Sequence, residues 1–370
     1  MPDAKNEVHG ATSVTLRSDS VTASVTLAGA HVAPVVFTSG SATADPYSLA
    51  PWHPGEIPGV DPLLDVLRGD FFCFPFGPQP DGPAHGEPAS GEWTVSASSE
   101  HAVTLHLEAH DSGGSFDKTV SVRDGQTVLY QEIAIRGISG AFNYGTHPIL
   151  DFSSQPPASA RISTSPMRWS SVYPGAFADP AIGETQILRP GATFDSLAAI
   201  PLEAGGTVDI SRYPTPAGHE DLVMMVNDPD AGPIGWSAAV FDGFIWFSLK
   251  DITSFPATLL WISNGGRTQP PWSGRFTGRM GIEDVHSHFH DGLSAARSQP
   301  LADLSISTAR EFDASKATSL RTVQGVAFTQ NGFGQVVTIE TNVPGRITLT
   351  DEAGTALTTD VNWEFALEQK

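Results

Sequence analysis

The sequence has little of several features that would narrow its function at once. Its only cysteine is Cys73, so no disulfide can form within the chain. Charged residues make up 16% of it, against roughly 25% in a typical soluble protein. No apolar run approaches the roughly 18 residues of a membrane-spanning helix. The opening stretch, MPDAKNEVHG, lacks the apolar region of a secretion signal. We therefore expect a cytoplasmic protein without a membrane partner.

Several common catalytic motifs are also missing. The sequence contains no G-x-S-x-G elbow, no P-loop and no Rossmann G-x-G-x-x-G. Cys73 lies within FFCFPF, an apolar setting that keeps a thiol protonated and unreactive. The 41 acidic and 20 basic residues give a net charge of -21, which repels nucleic acid and anionic membranes. Nucleotide-dependent, cysteine-nucleophile and nucleic-acid-binding functions are therefore disfavoured.

The pattern that is present is that of short strands. Apolar residues alternate with polar ones in WTVSASSEHAVTLHLEAH and FDKTVSVRDGQTVLYQEIAIRG, and AAVFDGFIWFSLKD and ATLLWISNGG resemble buried central strands. The 36 glycines and 29 prolines supply turns between them. Only DPLLDVLRG and GLSAARSQPLADL could hold a helical turn or two. We predict an all-β sandwich or barrel. It would be a single domain over 1–370, with a β-rich C-terminal extension from about 298 to 370.

Three titratable side chains lie in stretches where the backbone is tightly constrained. His85 occurs in PAHGEPASGEW, after a stiff proline- and glycine-rich turn. His147 precedes a proline in NYGTHPILDF, which favours an extended backbone at a strand end. Glu283 lies in GRMGIED among apolar neighbours, which would raise the pKa of its carboxyl toward that of a general base. Taken alone, His147 and Glu283 would each be explained better as a structural residue, at a strand end and in a surface turn respectively.

A histidine-rich segment follows Glu283. HSHFH places His286, His288 and His290 at alternating positions, so on a strand all three would share one face. Such a face could hold a metal ion. No further ligand is evident and no cysteine is near, so a role in packing or at the edge of a cleft is favoured over a metal site.

The ordered set of these motifs resembles the aldose 1-epimerase (galactose mutarotase-like) superfamily. LRGDFFCFPFGPQPDGPAHGEPASGEW is similar to its Arg-Gly strand, aromatic-Pro-aromatic-Gly turn and His-Gly, with some similarity to the hexose-6-phosphate 1-epimerase branch. THPILDF resembles the second motif and GRMGIED the third. The resemblance implies a β-supersandwich of large antiparallel sheets with a concave carbohydrate cleft. It implies that His147 is the general acid and Glu283 the general base, that Arg68, His85 and Asp221 bind substrate, and that neither metal nor cofactor is needed.

The sequence departs from the phosphate-specific branch just after His-Gly. That branch commonly has Ala-Arg there, whereas this chain reads EPAS and so begins with Glu87. An acidic residue in place of a cation argues against a sugar phosphate. Arg267, Arg275 and Arg279 could rebuild an anion site.

Three functions stay open from the sequence. The first is an isomerase that interconverts the anomers of a small carbohydrate, acting as a monomer or homodimer. The second is a non-catalytic carbohydrate-binding protein on the same scaffold, which the eight tryptophans and twenty phenylalanines would suit. The third is lyase or glycoside-processing chemistry, because a fold does not dictate a reaction.

Overall fold

The N-terminal part of the chain forms one antiparallel sheet. The computed structural model describes residues 5–330 and 332–367. The first five strands pair in chain order. They are β1 (Lys5–Val8), β2 (Ala11–Arg17), β3 (Val21–Thr26), β4 (Val32–Ser39) and β5 (Ala42–Ala44). Buried and less buried side chains alternate along most of β4, as expected for a strand with one face against a core, whereas nearly every residue of β3 is buried.

The strands that follow build the two large sheets and two small ribbons. In chain order they are β6 (Phe72–Cys73), β7 (Thr94–Ser98), β8 (Ala102–Glu108), β9 (Ser115–Ser121), β10 (Val128–Arg136), β11 (Gly140–Phe142), β12 (Tyr144–Thr146), β13 (Ile149–Asp151), β14 (Ala160–Thr164), β15 (Met167–Val172), β16 (Ile200–Pro201), β17 (Thr207–Val208), β18 (Arg212–Tyr213), β19 (His219–Asn227), β20 (Ile234–Phe241), β21 (Phe244–Asp251), β22 (Ala257–Asn264), β23 (Arg279–His286), β24 (Arg310–Phe312) and β25 (Thr318–Phe328).

The large sheets are antiparallel throughout their strand pairs. The nine-stranded sheet has the order β18-β14-β20-β21-β25-β10-β9-β8-β7. The seven-stranded sheet has the order β15-β19-β22-β23-β12-β6, with β13 also paired to β23. The sequence FDKTVSVRDGQTVLYQEIAIRG forms the hairpin β9–β10, with Asp124-Gly125 between its strands. The stretch expected to form buried central strands, AAVFDGFIWFSLKD, is itself part of a hairpin, β20–β21, with Asp242-Gly243 at its turn. The ribbons are β11-β24 and β16-β17.

The main core lies between the two large sheets. Ile133 and Ile135 of β10 belong to the same buried cluster as Leu260 and Ile262 of β22. The alternate residues of β22, including Trp261, belong to a second cluster on the other face of the seven-stranded sheet. Because side chains alternate along a strand, the seven-stranded sheet has one face toward the core and one toward this second cluster. The second face carries the candidate site.

Helices are few and short. They are α1 (Pro62–Asp65), α2 (Glu87–Ser90) and α3 (Gly292–Arg297), with 3₁₀ turns at Pro180–Ile182, Leu197–Ala199, Pro229–Ala231, Ala302–Leu304 and Trp363–Ala366. The first and third lie in the two segments predicted to hold a helical turn. No helix within the described residues has the length and apolar character needed to cross a membrane.

The end of the chain adds a separate sheet. Strands β26 (Val336–Val343), β27 (Arg346–Asp351) and β28 (Ala356–Asp360) pair with one another. Their buried side chains, such as Ile347, pack with Tyr130 on the outer face of the nine-stranded sheet. The extension expected from about residue 298 therefore divides in two. β25 is an inner strand of the nine-stranded sheet, whereas the residues from Val336 onward cover that sheet from outside.

Candidate active site

His147 and Glu283 meet on the face of the seven-stranded sheet that is turned away from the main core. His147 lies between β12 and β13, and its backbone N–H is held by the carbonyl of Phe71 at 2.9 Å. Glu283 is in the middle of β23. The His147 Nε2 lies 3.3 Å from the Glu283 Oε1. Only 5% of His147 and 2% of Glu283 are exposed. The two residues predicted as acid and base are therefore in contact.

Burial sets the charge preference of this pair. Loss of water raises the pKa of Glu283 well above its ordinary value, and it lowers the pKa of His147 to about 3. Both shifts favour the uncharged forms, a neutral imidazole beside a protonated carboxyl. In the ion-paired form, the carboxyl proton of Glu283 has moved to His147, so the total number of protons on the pair is unchanged. A single proton on the pair can therefore reside on either partner.

His85 is a second histidine of the site and lies beside His147. It adopts a positive φ of 62° at the end of the proline-rich turn. Its Nδ1 accepts a hydrogen bond from the backbone N–H of Gly77 at 3.3 Å. Burial lowers the pKa of His85 well below its ordinary value, so the ring is neutral and its proton belongs on Nε2. The ring lies edge-on to His147, with 5.3 Å between centroids. His85 is therefore a fixed hydrogen-bond donor.

The Phe71 ring holds two imidazoles in place by stacking. His31 stacks on one face of Phe71 at 4.4 Å and His147 stacks on it at 4.5 Å. The Nε2 of His31 lies 2.8 Å from the carbonyl oxygen of Ala89 in α2. The EPAS segment thus supports the site through this stack. Glu87, the acidic residue that replaces a cation, accepts the backbone N–H of Asp111 at 3.0 Å and does not line the cavity.

A cavity of about 270 Å³ opens over the pair. It is lined by Asp61, Leu63, Leu64, Leu67, Phe71, Ala84, His85, His147, Phe177, Leu222, Trp261, Arg267, Trp272, Glu283 and His290. Most of these side chains are apolar or aromatic, and a few polar groups converge among them. That composition is typical of a site for a small polar molecule with apolar faces, such as a sugar ring.

Arg267 is the single arginine in this lining, and its charge is already balanced. Its Nε lies 3.5 Å from a carboxylate oxygen of Glu184 and 3.9 Å from one of Glu220. Its guanidinium carbon lies 4.9 Å from the centre of the Trp272 ring. The other two arginines considered for an anion site are elsewhere, paired with Glu56 at 3.4 Å and Asp151 at 2.5 Å. The cavity therefore has no uncompensated cation among the described residues.

Two residues predicted to bind substrate do not line the cavity. The guanidinium of Arg68 donates to the carbonyls of Val8 at 2.9 Å and His9 at 3.1 Å. It therefore anchors the N-terminal strand. Asp221 lies 2.7 Å from the Nδ1 of His219, on the core side of β19. The structure places both side chains in structural hydrogen bonds.

The neighbour of Asp221 points toward the cavity side instead. Glu220 shares the face of β19 that carries Leu222, a cavity-lining residue. Its carboxylate accepts from the Trp261 Nε1 at 3.2 Å and from the Ser263 hydroxyl at 3.0 Å. Burial raises the pKa of Glu220 to about 7. The sequence signal for Glu220 is the alternation of side chains along β19. Selecting Asp221, one residue away, selects a side chain on the opposite face of the strand.

The three histidines of HSHFH do not lie on one strand. β23 ends at His286, whose Nε2 lies 3.0 Å from the Ser307 hydroxyl. The Nδ1 of His288 lies 2.7 Å from Asp291. Only His290 lines the cavity. In the residues that the structure describes, no three His, Cys, Asp or Glu side chains are grouped to hold a metal ion.

Comparison with solved structures places this architecture in a known class. A candidate aldose 1-epimerase from Escherichia coli K12 superimposes with a TM-score of 0.57 at 13% identity, covering 86% of this chain and 100% of its own. A galactose mutarotase related enzyme from Lactobacillus acidophilus gives 0.56 at 12%, covering 86% and 99%. A candidate aldose 1-epimerase from Klebsiella pneumoniae gives 0.59 at 11%, covering 87% and 80%. Comparisons of the sequence with protein-family models and with curated proteins find no match.

The fold is therefore an all-β sandwich of large antiparallel sheets, as predicted. More specifically, it is the galactose mutarotase-like fold, which confirms the resemblance seen in the sequence. Identities of 11–13% establish the fold alone, so the chemistry has to be argued from the site.

Proposed function

We propose that this protein is an aldose 1-epimerase-like isomerase that interconverts the α and β anomers of a sugar by acid–base catalysis with ring opening. One observation carries the proposal. His147 and Glu283 are in contact at 3.3 Å in the wall of a 270 Å³ cavity, a distance at which a proton can pass between them. The mutarotase-like fold supports it.

The reaction needs one proton removed and one added. With the proton on His147, the Glu283 carboxylate accepts the proton of the anomeric hydroxyl while His147 protonates the ring oxygen. The bond between the anomeric carbon and the ring oxygen breaks, and the open-chain aldehyde forms. The pair now has a protonated Glu283 and a neutral His147, which is the form that burial favours. Rotation about the C1–C2 bond and reversal of both transfers close the ring on the other face.

The surrounding residues position the sugar without joining the proton transfer. The Nε2–H of His85 can donate to a sugar oxygen beside His147. Trp261 and Phe71 supply apolar surface for the ring. Because water is largely excluded from the pair, hydrogen bonds there are stronger than in solution.

An uncharged sugar fits the cavity better than a sugar phosphate. A phosphate needs uncompensated cations or free N–H groups. Arg267 is balanced by Glu184 and Glu220. The balanced charge of the cavity and the acidic residue that follows His-Gly in the sequence both argue against a sugar phosphate.

A carbohydrate-binding protein without catalysis is the second candidate. The observation that favours it is the burial of both reacting groups, with Glu283 only 2% exposed. A sugar could then bind in the aromatic part of the cavity without reaching the pair. Lyase or glycoside-processing chemistry is a third use of the same acid and base.

Exchange NMR on freshly dissolved sugars separates these functions. Wild-type protein is incubated with α-D-glucose, α-D-galactose, glucose 6-phosphate and a short oligosaccharide. We expect accelerated anomer exchange of a free monosaccharide and little exchange after Glu283→Gln. Sugar binding without exchange in either protein would support a binding protein. New products from the oligosaccharide would support lyase or glycoside-processing chemistry. Equal inactivity of wild type and variant on every sugar would remove catalytic mutarotation.

A further inference from the structure

His290 is a cavity residue that the acid–base mechanism does not use. It belongs to the turn after β23, where Phe289 has a positive φ of 43° and breaks the strand alternation. This turn sends His290 back toward the cavity, away from His286 and His288. His290 thus comes to share a wall with His85 and His147.

The position of His290 is fixed by its surroundings. Its ring lies edge-on to Tyr173 at 4.9 Å and to Phe177 at 5.0 Å. The Tyr173 hydroxyl donates to Asp291 at 2.7 Å, and the other carboxylate oxygen of Asp291 lies 2.7 Å from the Nδ1 of His288. These bonds tie the His290 turn to the loop after β15. The His290 ring is therefore held before any ligand arrives.

Gly77 couples His290 to His85. A Cβ atom at Gly77 would lie 2.3 Å from the carbonyl oxygen of His290, and Gly77 has a φ of 88°. Only glycine allows this close approach without strain. The same glycine donates its N–H to the Nδ1 of His85. One residue thus sets the spacing of two imidazoles in the cavity wall.

His290 lacks the partners that the other histidines of its segment have. Its Nδ1 is buried and has no hydrogen-bond partner among the residues that the structure describes. Burial lowers its pKa to about 4, so the ring is neutral and offers one donor and one acceptor. The neighbouring Asp291 is already engaged by Tyr173 and His288. A neutral imidazole without a carboxylate partner is suited to recognition rather than proton transfer.

We propose that His290 is a specificity-determining residue that hydrogen-bonds a hydroxyl of the bound sugar away from the anomeric centre. This proposal rests on the proposed function only in taking a sugar as the ligand. It assigns to His290 the reading of one hydroxyl, while His147 and Glu283 act on the anomeric hydroxyl and the ring oxygen.

Binding of a sugar and its monodeoxy derivatives tests the proposal. The test variant is His290→Phe, which keeps an aromatic ring against Tyr173 and Phe177 but cannot hydrogen-bond. Calorimetry uses D-galactose or D-glucose, whichever the wild type binds more tightly. We expect His290→Phe to weaken binding of the parent sugar about tenfold. For one monodeoxy derivative, wild type and variant should bind equally. That derivative identifies the hydroxyl.

The matched control is His290→Gln, which restores a donor and an acceptor and should recover part of the lost affinity. An equal loss for the parent sugar and for every monodeoxy derivative would overturn the proposal, because a packing defect acts on all of them alike. Unchanged affinity in His290→Phe would overturn it too. Because affinity is measured without turnover, a wild type that binds sugar but exchanges no anomers would overturn only the proposed isomerase.

Discussion

Two buried histidine–carboxylate pairs lie on the seven-stranded sheet, and they differ in how completely they are satisfied. His219 has Asp221 at 2.7 Å on Nδ1 and the Thr215 hydroxyl at 2.9 Å on Nε2. His147 has Glu283 at 3.3 Å on Nε2, whereas its Nδ1 has no hydrogen-bond partner within residues 5–330 and 332–367. The first pair faces the core and the second lines the cavity. Residue types alone do not separate structural from reactive pairs, but unfilled hydrogen-bonding capacity beside a cavity does.

The carboxylates of the two pairs differ in the same way. Asp221 also accepts the backbone N–H groups of Leu188 at 2.9 Å and Ile187 at 3.2 Å. It thereby fastens the loop that precedes β16 to β19. Glu283 makes no comparable set of bonds, and burial raises its pKa. A fully bonded carboxylate stabilises the fold, whereas one left mainly with an imidazole can exchange a proton.

The largest expected effect comes from breaking the reactive pair. Glu283→Gln and His147→Gln should each lower kcat/KM for anomer exchange by about 10²- to 10⁴-fold, the usual contribution of a general acid or base. Because the two groups share one proton, the double variant should lose about as much as either single variant. Exchange NMR on the three proteins measures this.

The comparison fails if the losses of the single variants multiply in the double variant, because the residues would then act independently. Near-ultraviolet circular dichroism of each variant controls for folding. A single variant that keeps wild-type turnover would remove that residue from the proton transfer.

The structural pair should show the opposite response. Asp221→Asn keeps the side-chain shape but breaks the charge-assisted bond to His219. We expect the free energy of unfolding to fall by about 3 kcal/mol, as is typical when one partner of a buried pair is removed. Turnover per folded molecule should stay within a few-fold of wild type. Urea unfolding measures the first quantity, and exchange NMR on the folded protein measures the second. A turnover loss as large as that of Glu283→Gln would return Asp221 to the site.

The sequence was informative where a local pattern determines the structure. Apolar alternation and the glycines and prolines between the strand patterns predicted the sheets. The proline after His147 and the turn before His85 predicted constrained positions, and both residues line the cavity with Glu283. Arg68 could not be placed this way. Its partners are backbone carbonyls that lie 60 and 59 residues earlier in the chain. Such long-range contacts leave no local pattern.

The remaining differences between the expected and the observed positions concern the face that a side chain takes. Asp221 and Glu220 are adjacent, so a strand assigned correctly still left the choice of face open. HSHFH was read as a possible continuous strand, whereas the positive φ at Phe289 begins a turn. A non-glycine residue in that conformation is uncommon and has no reliable sequence signal.

His31 extends the comparison to a buried imidazole that lies against a backbone carbonyl rather than a carboxylate. His31 lies behind Phe71, and burial lowers its pKa from 6.5 to about 3. Between those values the unfolded chain binds a proton that the folded protein does not. The stability contribution of His31 is therefore complete above pH 6.5 and declines as pH falls toward 3. His31→Gln should reduce the loss of unfolding free energy between pH 7 and pH 4.5 by roughly 2 to 3 kcal/mol. Urea unfolding at the two pH values tests this, and identical pH dependence in both proteins would contradict it.

A buried carboxylate without an imidazole gives the smallest expected effect. Glu220 lies 3.9 Å from Arg267, and its pKa of about 7 leaves it mostly ionised at pH 8. Glu220→Gln should therefore uncover part of the positive charge of Arg267. We expect the affinity for glucose 6-phosphate, relative to glucose, to rise about fivefold, equivalent to about 1 kcal/mol of charge interaction. Calorimetry at pH 8 measures both affinities.

Glu56→Gln is the matched control for that measurement, because its partner Arg275 lies outside the cavity lining. It should leave the affinity ratio unchanged. A ratio that rises equally in both variants would mean that the protein's overall negative charge, rather than Glu220, excludes the phosphate. A rise confined to Glu220→Gln would assign the carboxylate a role distinct from both histidine pairs. It would neither close a structural bond as Asp221 does nor exchange a proton as Glu283 does, but would keep the charge of the cavity balanced.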